Sequence, residues 1–81
     1  MSEPTAVFSI LDDQDSEIKA VLTEVYHALK EKGYNPINQL VGYILSEDPT
    51  YITTYRGARA NIRRIDRDEL LQVLLKHYLS E

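Results

Sequence analysis

The sequence lacks cysteine and tryptophan, and it has only three glycines and two histidines among its 81 residues. Without cysteine the chain has neither a disulfide framework nor a thiol nucleophile. The glycines stand apart, at Gly33, Gly42 and Gly57, so no glycine-rich phosphate-binding loop is present. His27 and His77 lie in two predicted helices, 50 positions apart, where ordinary surface histidines are the favoured interpretation. We therefore expect no metal, no cofactor and no enzymatic activity.

Long apolar runs are also missing. No stretch approaches the ~18–20 apolar residues needed to cross a bilayer, and the first residues lack the basic and apolar regions of a signal peptide. A cytoplasmic protein without membrane insertion is therefore expected. The formal net charge of −4 argues against a general nucleic-acid binder.

The chain has room for one domain, which buries only about 60–65% of the surface that the unfolded chain exposes. Its composition, 43% hydrophobic and 27% charged, is that of a folded protein rather than a disordered one. Since neither disulfides nor zinc strengthen this thin core, well-packed helices and self-association are the remaining sources of stability.

From Asp15 onward, apolar residues recur at three- and four-residue spacing, which predicts helices. The first helix is predicted over residues 16–32, ending before a glycine that supplies a left-handed stop. Asparagine followed by proline, at Asn35-Pro36, predicts the start of a second helix that ends near Ser46.

The second half of the chain repeats these start signals. Asp48-Pro49 predicts a third, short helix, and Gly57 is expected to break or kink the helical path beyond it. Asp66 with Glu69 resembles a capping box that opens a strongly apolar last helix. No strand pattern occurs, so the predicted fold class is all-α, a small compact domain of four to five helices.

Residues 1–14 contain a proline, three acids and only a short apolar run. We interpret them as a flexible acidic N-terminal tail, followed by a helical dimerisation and regulatory domain over residues 15–81. The tail is the part of the chain that offers a kinase an accessible hydroxyl at little cost.

A homodimer is expected from the thin core, from the wide apolar face of the last helix and from the six tyrosines. Gly42 costs its helix about 1 kcal/mol against alanine, and close approach of another backbone is one reason to retain it. The second and last helices are predicted to form the interface, through Leu40, Gly42, Tyr43, Leu74 and Tyr78.

All five arginines lie between residues 56 and 67. Their spacing predicts that three of them share a helical face: Arg56, Arg59 and Arg63. Three interpretations stay open for this basic cluster: a solvated helix face, a docking site for the acidic tail or a partner, or contact with the phosphates of a nucleic acid.

Three stretches of the sequence closely resemble the IreB family of small regulatory proteins of Gram-positive bacteria. They are EKGYNPINQLVGYIL at residues 31–45, DPTYIT at 48–53 and IRRIDRDELL at 62–71. The similarity covers roughly residues 16–79, far more than a short motif.

This resemblance implies a non-enzymatic, all-helical, cytoplasmic homodimer. It also implies phosphorylation by a transmembrane serine/threonine kinase with extracellular PASTA repeats, opposed by a cognate phosphatase, with an unknown downstream protein. The family's founding member restrains intrinsic cephalosporin resistance, a cell-envelope stress trait. Thr5 resembles the family's phosphorylated threonine, and an earlier acceptor falls near Ser2.

Phosphate on Thr5 adds about −1.5 to −2 charges to the tail. We expect it to dock on Arg56, Arg59 and Arg63 through charge-assisted hydrogen bonds. The alternative is that Asp12 and Asp13 repel the phosphate and the tail is released. The alternative function is that of a nucleic-acid-associated accessory protein that uses the basic cluster from Arg56 to Arg67.

Overall fold

The structure is a computed structural model, which describes the backbone of residues 2–80 and the side chains of residues 15–80. Helices account for all the regular structure in residues 2–80, and no strand occurs among them. In chain order the elements are α1 (Ser2–Glu31), α2 (Pro36–Ser46), two 3₁₀ turns (Pro49–Tyr51 and Tyr55–Gly57), α3 (Ala58–Arg63) and α4 (Arg67–Leu79). The predicted all-α class is confirmed.

The backbone of α1 begins at Ser2, well before the start predicted at residue 16. Pro4 lies in its first turn, where a missing N–H costs no helical hydrogen bond. The helix ends at Glu31, and the left-handed φ of +87° at Gly33 confirms the predicted stop. The side chains of residues 1–14 lie outside the described part, so the division into a tail and a domain stays a prediction.

The start and end predicted for α2 are both confirmed. The Asn35 side chain accepts a hydrogen bond from the Asn38 backbone N–H at 3.2 Å, and Pro36 fills the first helical position. After Ser46, Glu47 adopts a left-handed φ of +63° and closes the helix. Local capping chemistry is therefore enough to fix both ends of this helix.

The third helix predicted at Asp48-Pro49 is a single 3₁₀ turn, with the Asp48 carboxylate accepting the Thr50 N–H at 3.0 Å. Arg56 and Gly57 then take left-handed φ values of +56° and +72° in succession. This pair breaks the helical path, as expected for Gly57, and α3 begins only at the next residue.

Asp66 caps α4, as predicted. The backbone N–H that its carboxylate accepts, at 3.3 Å, belongs to Asp68 rather than to Glu69, so the geometry differs from the predicted capping box. Two acids in the first turn complement the positive end of the helix dipole.

The core lies along one face of α1, which contacts α2, α3 and α4. Val25 and Leu29 are completely buried on that face, as are Ile52 after the first 3₁₀ turn and Leu70 in α4. The other buried apolar residues are Ile18, Val21, Ala28, Tyr43, Ala58, Ile62 and Ile65. The short connection between α2 and α3 thus contributes one completely buried residue, Ile52, to the core.

Helix α4 leaves most of its apolar side chains exposed. Only Leu70 is buried, although the sequence predicted a wide apolar face. The exposed apolar side chains of this helix are Leu71, Leu74, Leu75, Tyr78 and Leu79. Among residues 15–80, most of the large apolar side chains left exposed therefore lie on this helix and on α2.

Candidate functional site

An apolar groove runs between α1, α2 and α4. Its volume is about 390 Å³, and its walls consist almost entirely of apolar atoms. The lining residues are Leu22, Thr23, Tyr26, Ile37, Leu40, Val41, Ile44 and Leu74. Contiguous exposed apolar surface of this kind marks contact with another protein surface or with an apolar ligand.

Two of the five residues predicted for a dimer interface, Leu40 and Leu74, line this groove, and Tyr78 is 87% exposed near the end of α4. The other two serve the fold of a single chain. Tyr43 is only 5% exposed because its side chain joins the core. Gly42 faces the ring of Tyr51, so the close neighbour at this position is a side chain of the same chain.

The groove also contains residues that the sequence reasoning did not select. Ile37, Val41 and Ile44 stand at helical spacing on α2, and that spacing was visible in the sequence. It could not indicate which apolar residues of α2 face the core and which face outward. On α1, Leu22 and Tyr26 flank the core face, so they reach the groove from its edge.

The five arginines do not form one patch. The sequence had predicted that Arg56 shares a helical face with Arg59 and Arg63. That prediction is wrong, because Arg56 lies before α3 in a left-handed conformation. The prediction assumed a continuous helix across residues that the turn at 56–57 interrupts. Arg56 instead pairs with Glu31, with 3.7 Å between NH1 and Oε2.

Two arginines hold backbone carbonyls. Arg59 donates from Nε to the Ile52 carbonyl at 2.8 Å, which ties α3 to the preceding connection. Arg67 donates both to the Ile44 carbonyl and to the Glu47 carboxylate, so it joins the start of α4 to the end of α2. These side chains act as internal supports, which argues against the nucleic-acid alternative for the basic cluster.

Of the remaining two arginines, Arg64 contacts the middle of α1. It pairs with Glu17, with 3.6 Å between Nη2 and Oε2, and also donates to the Asn61 side-chain oxygen at 2.9 Å. Arg63, beside it, is exposed. Because Glu31 follows Glu17 by 14 residues, Arg56 and Arg64 lie about 21 Å apart along the axis of α1.

Helix α4 is tied to the middle of α1. The Asp15 Oδ2 atom lies 3.1 Å from His77 Nε2 and 3.9 Å from Lys76 Nζ. The Asp15 side chain is 21% exposed, whereas both partners are more than half exposed.

Two ionisable groups in the connection between α2 and α3 have pKa values that differ from their ordinary values. Hydrogen bonds from the Thr50 hydroxyl and backbone N–H hold the pKa of Asp48 below its ordinary value. A hydrogen bond to Glu31, together with the negative charge of Glu31, raises the pKa of Tyr55. The Tyr55 ring also lies 5.0 Å from Lys32 Nζ.

The predicted phosphorylation sites Thr5 and Ser2 lie outside the residues whose side chains are described. Among residues 15–80, no group of three or more histidines and acids is arranged to hold a metal ion. None of the helices in the described residues is both long enough and apolar enough to span a membrane.

The fold and these surfaces define a small all-α protein whose exposed features are an apolar groove and ion-paired charges. The chain belongs to the IreB family: the family model described as IreB regulatory phosphoprotein matches residues 3–80. It is 59% identical over 76 residues to a UPF0297 protein of Ruminiclostridium cellulolyticum, which covers 94% of this chain and 86% of that protein. It is 56% identical over 77 residues to a UPF0297 protein of Acetivibrio thermocellus, and the match covers 95% of this chain and 86% of that protein.

Proposed function

We propose that this protein is a non-enzymatic, cytoplasmic regulator whose activity is set by phosphorylation of its N-terminal tail. A transmembrane serine/threonine kinase with PASTA repeats adds the phosphate, and a cognate phosphatase removes it. The output is modulation of the cell-envelope stress response and of intrinsic cephalosporin resistance, through a downstream protein. The observation that carries this proposal is the match to a family of regulatory phosphoproteins over nearly the whole chain.

Thr5 is the proposed main acceptor, and Ser2 is the second. The hydroxyls of the described residues support this choice, because several are already bonded within the helical structure. Thr23 donates to the Lys19 carbonyl at 2.8 Å, and Thr50 donates to the Asp48 carboxylate at 2.7 Å. A kinase needs an extended segment around its acceptor, so phosphorylation of Thr5 requires the first turns of α1 to unwind, which costs less than opening the packed helices.

The direct test is phosphorylation of the full chain by the purified kinase domain, with the sites assigned by mass spectrometry. Thr5→Ala is expected to remove most of the incorporated phosphate, and Thr5→Ala with Ser2→Ala the remainder. Thr53→Ala is the matched control and should leave labelling unchanged. Phosphate found only within residues 15–80 would contradict the proposal.

We also propose that the regulator is a homodimer and that a second copy covers the apolar groove and the exposed face of α4. Leu75, Tyr78 and Leu79 are 51%, 87% and 69% exposed in the single chain. Leaving so many large apolar side chains in water is costly, and burial against an identical surface removes that cost. Sedimentation of the purified protein at micromolar concentration should give a dimer, and a monomer would contradict this part of the proposal.

A further inference from the structure

A second apolar surface lies beside the groove, where the end of α2 meets the start of α4. It is an open cavity of about 340 Å³ whose lining includes Leu45 and Leu71, which are 79% and 43% exposed. Asp66 and Asp68 line the same cavity, and Arg67 holds the Glu47 carboxylate next to it. We call these five residues the Leu45 patch: Leu45, Leu71, Glu47, Asp66 and Asp68.

The Leu45 patch carries an unbalanced negative charge. Arg67, which also lines the cavity, is occupied by the Glu47 carboxylate and the Ile44 carbonyl. Among residues 15–80, the ion pairs include neither Asp66 nor Asp68, and both of these acids are exposed. Two carboxylates beside exposed leucines are therefore available to cations of another molecule.

The groove differs from the Leu45 patch in charge. All the residues that line the groove are uncharged. A two-fold contact brings the same surface of both copies together, so the groove suits contact with a second copy. The same kind of contact through the Leu45 patch would bring the acids of both copies together, which is unfavourable. The charge of the patch thus selects a different partner.

We propose that the Leu45 patch binds a segment of another protein in which an apolar side chain is flanked by lysines or arginines. The inference rests on the proposed function in one respect, because the downstream protein of that proposal is the partner that carries this segment. Its apolar side chain contacts Leu45 and Leu71, which removes their exposed surface from water. Its cations pair with Asp66 and Asp68, which gives the contact its selectivity for a basic partner.

The Leu45 patch and the groove are neighbours that can be occupied at the same time. They meet at Ile44, which lines both. The second copy covers the groove and the later turns of α4, from Leu74 onward, and the partner covers the turn that follows Arg67. Because Arg67 joins α2 to α4 through the Ile44 carbonyl, the two leucines of the patch are held in place before the partner arrives. A dimer presents the patch twice, once on each copy.

The test titrates a synthetic helical peptide of leucine and lysine into the isotope-labelled full chain and follows the backbone amide signals by NMR. Shifts are expected for residues 44–47 and 66–71, and added salt should weaken the binding because the ion pairs are exposed. Leu45→Ser with Asp68→Asn should lower the affinity about tenfold. Glu24→Gln removes a charge outside the patch and should leave the affinity unchanged. A peptide with glutamate in place of lysine should not bind.

Shifts confined to the groove would overturn the proposal, and so would an equal loss of affinity in Glu24→Gln, which would mean that net charge alone attracts the peptide. A species larger than a dimer in sedimentation, absent in Leu45→Ser, would make a second copy the occupant instead. The substituted side chains are exposed, so the variants keep the fold, which their circular dichroism checks. Because the titration needs no kinase, absence of binding overturns this inference and leaves the proposed phosphorylation unaffected.

Discussion

The ring of Tyr51 lies against the backbone of Gly42, so closely that a Cβ at position 42 would stand 2.6 Å from Tyr51 Cδ1. The contact closes the 3₁₀ turn onto α2. Gln39, one turn earlier in α2, donates from its side-chain amide to the Tyr51 carbonyl at 2.8 Å. The close neighbour that accounts for a glycine at this position is therefore the Tyr51 ring of the same chain.

This contact predicts that Gly42→Ala changes the free energy of unfolding in opposite directions with and without the Tyr51 ring. Alanine at position 42 gains up to about 1 kcal/mol of helix propensity, but it must displace the Tyr51 ring, which costs about 1–3 kcal/mol. We therefore expect Gly42→Ala to lower the free energy of unfolding by about 1 kcal/mol in urea titrations. In a Tyr51→Ala background the same substitution should raise it, and the same sign in both backgrounds would contradict the contact.

The groove can be tested on α2 alone. Val41 is 48% exposed and lines the groove, so a glutamate there stays solvated in a single chain but is buried without a partner in the proposed dimer. Val41→Glu is expected to give a monomer in sedimentation velocity with its helical content retained. Asn38→Glu makes the same change in charge outside the groove lining and should remain a dimer; dissociation of both variants would point to net charge instead.

The hydrogen bonds to Asp48 predict a contribution to acid stability. The pKa of Asp48 in the folded chain is lowered by Thr50, so its stabilising effect is present above the ordinary value of 3.8 and is lost as the pH falls through the lowered pKa. Asp48→Asn should flatten the fall in unfolding free energy across that acidic range. Thr50→Val should move the Asp48 carboxyl resonance titration upward in NMR, and an unchanged titration would refute the assignment.

The raised pKa of Tyr55 predicts a contribution to stability that is lost at alkaline rather than acidic pH. Because Glu31 raises its pKa, the stabilising effect is complete below the ordinary value of 10.0 and is lost as the pH rises through the raised pKa. In an ultraviolet titration of the phenols, Glu31→Gln should shift one tyrosine to lower pH. Glu24→Gln, which removes an acid of α1 that is bonded to Asn61, should shift none.

Local signals predicted much of the secondary structure. The helix caps accept hydrogen bonds from backbone N–H groups only two or three positions away, as at Asn35, Asp48 and Asp66. Because both partners of each bond are neighbours in the sequence, these helix starts could be predicted without tertiary structure. The start of α1 is different, because no local signal requires a helix to begin as early as Ser2. Its position depends on how far helical hydrogen bonding propagates from the packed part.

The candidate site was less predictable because its geometry is tertiary. Tyr43 and Val41 stand two residues apart on one helix, and only packing against α1 decides that the tyrosine is buried and the valine lies in the groove. The prediction that Arg56 shares a face with Arg59 and Arg63 was wrong because of the backbone conformation at residue 56. The sequence indicated a break or kink at Gly57, but a left-handed conformation is rare for arginine, so nothing indicated that Arg56 lies off the face of Arg59 and Arg63.

The two bonds of the Arg67 guanidinium give the groove a mechanical property. One planar group grips the Ile44 carbonyl of α2 and the Glu47 carboxylate just beyond it, while Arg67 itself begins α4. The two walls that these helices supply cannot slide apart at this end without breaking both bonds together. We therefore expect the separation of α2 and α4 to vary least at Arg67 and most toward the other end of α4, where exposed Lys76 and His77 pair with Asp15.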